Sequence, residues 1–173
     1  MSKSKDRFFP IILTLIIIMI IIYLFMTIKQ PYVECSKSSN DNLDITVRED
    51  LITKFAGNKI SSMKLVKTII LPSEYATDKH VESIKFSLES ALEYLDKEKV
   101  KYTVLDDRLI VEINVNSNET IILNNIEFKE NNGLQVKVNS NTKSSEVVTL
   151  KVGDNYTEGE LMKRLRNNGY VCK

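Results

Sequence analysis

Residues 43–71 read LDITVREDLITKFAGNKISSMKLVKTIIL, two stretches of alternating apolar and polar side chains on either side of AGNK. Leu43, Ile45 and Val47 take every second position, and Met63, Leu65, Ile69 and Leu71 share one parity. A period of two puts each set on one face of a β-strand. Gly57 and Asn58 accept positive φ at little cost, so AGNK reads as the turn of a hairpin. LITKF continues the first strand through an expected irregularity near Glu49–Asp50. Pro72, which cannot donate into a ladder, ends the second. Upstream, YVECSK (32–37) reads as a third strand, set off by the polar turn SSNDN.

The period then changes. In ATDKHVESIKFSLESALEYLDKEKV (76–100) the apolar positions Val81, Ile84, Leu88, Ala91, Leu92 and Leu95 fall at helical spacing, with Lys and Glu opposite. Thr77 or Asp78 is the expected cap. A helix of about twenty residues is about 30 Å long, enough to cross a sheet. VKYTVLDDRLIVEINVN (100–116) reads as a second hairpin turning at Asp106–Asp107. Residues 119–138 carry further strand with Asn132–Gly133 as a tight turn, NSNTKSS is a loop, and VVTLKV is another strand. Near the end, Thr157 and Glu160 have capping-box spacing, Leu161 and Leu165 share a face, and Asn168–Gly169 stops the helix. YVCK is a last extended segment. The expected fold class is α+β: an antiparallel sheet packed against one long amphipathic helix and a short C-terminal helix, preceded by a transmembrane helix.

That last element comes from FFPIILTLIIIMIIIYLFMTI (8–28), which has no charged residue and is long enough to cross a hydrocarbon core of roughly 30 Å. Pro10 falls in the first turn, where no internal N–H bond is lost. TIKQPYVEC after it offers no small residues for signal cleavage, and Glu34 before Cys35 does not suit a lipoprotein signal. A buried core helix is disfavoured because the run is apolar on all faces. Lys3, Lys5 and Arg7 precede the run and Lys29 follows. The basic-flank rule therefore places the N-terminus in the cytoplasm. The expected organisation is a cytoplasmic tail (1–7), a single-pass signal-anchor (8–28) and an extracytoplasmic α+β domain (32–173).

The chemical inventory is sparse. With 24 basic and 23 acidic residues, interspersed rather than blocked, there is no electrostatic case for nucleic acid. His80 is the single histidine and reads as an exposed first-turn residue. Asp106–Asp107 reads as a turn former. Asn40, Asp41, Asn42 and Asp44 lack the Gly and terminal Glu of a calcium loop. No catalytic, cofactor-binding or metal-ligating residue is assigned, no cofactor is expected, and the chain is read as a non-enzyme. The abundance of Asn, Lys and Ile suits an AT-rich bacterial genome.

YVECSK (32–37), KFAGNKI (54–60), the long amphipathic helix and the closing T-x-G-E-L…L…N-G-Y-V-C-K (157–173) occur together. That arrangement resembles small membrane-anchored extracytoplasmic proteins of Firmicutes and mycoplasma-like bacteria, and is loosely similar to YehR-like lipoprotein domains. The resemblance covers residues 32–173 and implies location and topology rather than an activity. The expected function is a surface or bacterial cell-envelope module binding an envelope protein or a small ligand, held to the membrane by its N-terminal helix. The alternatives are a pilin-like subunit, which DRFFPIIL fits poorly, and an envelope hydrolase, which lacks a nucleophile–base–metal set. The two cysteines, Cys35 and Cys172, both fall outside the apolar run in a disulfide-permitting compartment. They are expected to pair, stapling the last strand beside the first.

Overall fold

The computed structural model describes residues 14–20, 31–41, 43–93, 95–116, 118–123, 126–130, 134–138 and 148–173. The chain divides into two units, Met1–Gln30 and Pro31–Lys173.

In the first unit the described residues, 14–20, are helical (α1). At 1.5 Å per residue this stretch is about 10 Å long, a third of a hydrocarbon core. Among the described residues no helix is long and apolar enough to cross a membrane, and the rest of the 8–28 run lies outside them. The expectation of a single-pass signal-anchor is corrected accordingly. With it go the cytoplasmic tail, the extracytoplasmic placement of residues 32–173, the membrane as a partner and the envelope-anchored function, all of which depended on that helix.

The second unit is α+β. Its main sheet has six strands in the order β10-β1-β2-β3-β5-β4, every neighbour antiparallel. They are β1 (Tyr32–Asn40), β2 (Thr46–Ala56), β3 (Lys59–Ile70), β4 (Val100–Leu105), β5 (Arg108–Val115) and β10 (Val171–Cys172). Two smaller pairs stand apart: β6 (Thr120–Leu123) with β9 (Val148–Lys151), and β7 (Ile126–Glu130) with β8 (Leu134–Val138). The helices are α2 (Asp78–Ala91) and α3 (Glu158–Arg166).

The alternation seen in residues 43–71 becomes one buried face. Val47, Leu51 and Phe55 of β2 line up with Leu65 and Ile69 of β3 and Leu109, Val111 and Ile113 of β5, all buried. The turn between β2 and β3 needs Gly57 at φ +62°, a conformation that a side chain resists. The irregularity expected near Glu49–Asp50 lies instead between Lys54 and Phe55. Asp41 organises the β1–β2 loop, its Oδ1 accepting from the Leu43 N–H (2.9 Å) and the Ile45 N–H (3.0 Å).

Helix α2 buries Val81, Ile84 and Leu88, the stripe expected from their spacing. Ser83 also donates from its hydroxyl to the Leu134 carbonyl (2.8 Å), tying the helix to β8. The helix is shorter than expected. It ends at Ala91 with Leu92 as its cap, and the Asp96 carboxylate then accepts from the Glu98 N–H to start a separate 3₁₀ turn, Lys97–Lys99. Thr77 is the N-cap residue, but its hydroxyl makes no cap bond and meets His80 Nδ1 at 3.1 Å.

The C-terminal elements match their signals. Thr157 and Glu160 form the capping box, and Gly169 sits at φ +83° beyond the end of α3. The Asn132–Gly133 turn lies outside the described residues. Cys35 and Cys172 stand opposite each other in the β1–β10 ladder and form a disulfide across 137 residues. In the chain-entropy account such a closure limits the unfolded state by about 5 kcal/mol. Further bonds hold the terminus: the Lys173 N–H to the Glu34 carbonyl (2.9 Å) and Arg166 Nη2 to the Cys172 carbonyl (3.1 Å).

Two charges sit on the core face of the sheet. Glu49 and Lys67 are opposite residues of β2 and β3, 7 % and 6 % exposed, with Nζ 2.5 Å from Oε1. The buried Tyr170 hydroxyl donates to the other Glu49 oxygen. Lys37, opposite Glu49 on β1, places its ammonium 5.6 Å from the Tyr170 ring centre. Removing one member of such a pair strands the other in the core, whereas replacing both with apolar groups is close to neutral. Lys67→Met is therefore expected to lose about 3 kcal/mol in urea unfolding, in the range for a broken buried pair. Glu49→Leu/Lys67→Met should recover most of that loss. A Lys67→Met variant as stable as the parent would mean that water reaches the pair.

Candidate functional site

Among the described residues, a concavity lies where α2 gives out before the sheet does. Its walls are Glu89, Ser90, Leu92 and Glu93 from the end of α2, Leu95 and Lys97 from the following turn, and Val100 and Tyr102 from β4. The volume, about 460 Å³, is in the range that holds a small organic molecule. The cleft lies at the end of α2, between its last residues and β4.

The cleft has an apolar floor and an electronegative wall. Leu95 is buried, and Leu92, Val100 and Tyr102 are half-buried. The last turn of α2 carries no basic residue, so the negative end of the helix dipole is not offset there. Glu89 and Glu93 add two carboxylates against the single ammonium of Lys97. Burial pushes the Tyr102 phenol up to about 12, with the charge of Glu89 adding to the effect. The phenol is therefore neutral at ordinary pH and presents an O–H and a ring face. The Ser90 hydroxyl is already engaged, donating to the Phe86 carbonyl at 3.1 Å.

The residues singled out in the sequence lie elsewhere. His80 packs edge-on against Tyr75, ring centres 5.5 Å apart. Asp107 makes a two-bond pair with Arg108 (2.7 Å each), which holds its carboxyl below the usual range. Asp41 is occupied by loop backbone, and Asn42 lies outside the described residues. Among the described residues no group of three His, Cys, Asp or Glu is placed to hold a metal ion.

Neither the cleft nor the buried pair was found by sequence reasoning, although the second left a signal. Glu49 and Lys67 occupy apolar-parity positions in two strands read as neighbours, where a lone charge is out of place. The cleft left none, because its walls come together only in the folded chain. No protein-family model, curated protein or solved structure matches the chain.

The Tyr102 environment can be checked directly. In the chain labelled at tyrosine ring carbons, Tyr102 should titrate at about pH 12, and Glu89→Gln should lower that midpoint. A midpoint unmoved by Glu89→Gln would show the carboxylate facing away from the ring. The folded value lies above the ordinary 10.0, so the stability Tyr102 contributes is complete below pH 10.0 and declines as pH rises toward 12.

Proposed function

We propose that this chain is a non-catalytic binding module whose cleft between α2 and β4 takes a ligand carrying a basic nitrogen on an apolar stem. The observation that carries the reading is the make-up of the cleft: Glu89, Glu93 and the uncompensated carboxyl end of α2 stand over Leu92, Leu95 and Val100, with Tyr102 at the side. Carboxylates and a helix C-terminus favour a cation. An aromatic face attracts the same charge within about 6 Å. The apolar floor suits the methylene stem that usually joins an amine to its parent molecule.

A titration of the ¹⁵N-labelled full chain with N-acetyl-lysine N-methylamide tests this. Amide shifts should cluster at residues 89–93 and 95–102, and the Nε-acetylated analogue, of similar shape but neutral, should produce none. Glu89→Gln and Glu93→Gln should each weaken binding by about tenfold, which is 1.4 kcal/mol. Equal binding of the charged and neutral analogues would remove the cation from the reading, and the absence of shifts at the cleft would remove the site.

A further inference from the structure

The two edges of the main sheet are treated differently. One edge strand, β10, is two residues long and is held by the disulfide. The other, β4, has six residues, VKYTVL, and among the described residues it pairs only with β5. An open edge strand is ordinarily blunted by proline, a bulge, clustered charge or short length. β4 contains no proline, its ladder with β5 runs without a register shift, and Lys101 is its one charge. Val104 and Leu105 are each 46 % exposed.

The ladder also sets where the free backbone groups point. The loop Asp106–Asp107 closes on the pair Leu105–Arg108, and an antiparallel ladder alternates bonded and non-bonded pairs from there. The N–H and C=O groups of Val104, Tyr102 and Val100 are thus the ones directed away from β5. These residues share one face of the strand, and Val100 and Tyr102 line the cleft. A strand added along β4 would lie about 4.8 Å away. Its residue opposite Tyr102 would form two backbone bonds and send its side chain up beside the cleft walls.

From this we infer that the partner is an extended peptide that pairs antiparallel with β4 as a seventh strand and inserts a Lys or Arg side chain, at the position opposite Tyr102, between Glu89 and Glu93. The inference rests on the cleft being a cation site and names what carries the cation. Charge selects this occupant over a second copy of the chain. A twofold pairing of β4 with β4 keeps the same face of both strands on one side, so the copy would present Val100, Tyr102 and Val104. The only basic residue of the added β4 strand, Lys101, would face the opposite side, leaving the carboxylates unmatched.

The test uses the full chain and the peptide acetyl-Thr-Val-Thr-Lys-Thr-Val-Thr-amide, which puts Val, Lys and Val on one face. It should bind at least tenfold more tightly than N-acetyl-lysine N-methylamide and slow hydrogen exchange at the Val100, Tyr102 and Val104 amides. Methylating the backbone nitrogens of its Lys and two Val residues should return affinity to that of the small amine. Replacing its Lys with norleucine should weaken binding by about tenfold or more. If the peptide, its N-methylated form and the small amine bind alike, the cleft reading stands and strand addition is overturned. A norleucine peptide that binds as well as the parent overturns the choice of a basic partner. Absence of binding by peptide and amine overturns this inference together with the reading beneath it. A chain that sediments as a dimer, and becomes monomeric with Val104→Pro while still binding the small amine, assigns the edge to a second copy and overturns the peptide.

Discussion

Glu49 and Lys67 face one another across the two longest strands of the sheet, on the side against which the buried elements pack. Two charges in that position are tolerable only when each satisfies the other, and that requirement bears on register. A slip of β2 against β3 by one residue would turn the whole apolar set to solvent, and a slip by two would part Glu49 from Lys67 and leave both in the core. The pair therefore penalises the shift that hydrophobic alternation alone would tolerate. Tyr170 extends the same requirement to the end of the chain, because Glu49 has a second oxygen that needs a donor. Burial and the Glu49 charge together raise the Tyr170 phenol well above its ordinary value, which keeps it a neutral donor.

The C-terminus is thereby held by several kinds of interaction within a few residues. Gly169 turns the chain off α3, Tyr170 bonds to Glu49, and Cys172 is joined to Cys35 in the β1–β10 ladder. A two-residue strand has too few ladder bonds to resist the fraying usual at chain ends. The disulfide and the buried hydroxyl supply what the ladder lacks. This closure also makes the sheet asymmetric, with one edge sealed and β4 left open beside the cleft.

A single row across the sheet connects these features. Lys37, Glu49, Lys67, Val111 and Tyr102 are successive partners from β1 through β2, β3 and β5 to β4. At one end the row is charged, with Glu49 and Lys67 buried and Glu49 bonded to Tyr170. At the other it reaches the cleft, where α2 has stopped and Tyr102 is half-open. The difference between the ends follows from cover. A buried polar side chain must find its partner within the protein, while one beside an open cleft is free to meet a ligand.

Local chemistry was legible in the sequence wherever a residue acts on its own neighbours. The period of residues 43–71, the Gly57 turn, the α2 stripe, the Thr157–Glu160 box and the Gly169 stop all depend on backbone and side chains a few positions apart. The cysteine pairing was legible as well, because two cysteines admit one intramolecular bond. The apolar run at 8–28 was read as a membrane span from its composition, whereas among the described residues no helix is long and apolar enough to cross a membrane. The end of α2 was misplaced because the apolar period continues through Leu95, past Ala91, where the helix stops. The salt-bridged pair and the cleft were settled by tertiary structure alone. Glu49 is 18 residues from Lys67 and 121 from Tyr170, and Glu89 reaches Tyr102 only through the packing of α2 on the sheet. A sequence specifies periodicity and caps because those are short-range; which distant groups share a buried space is decided when the chain has closed on itself.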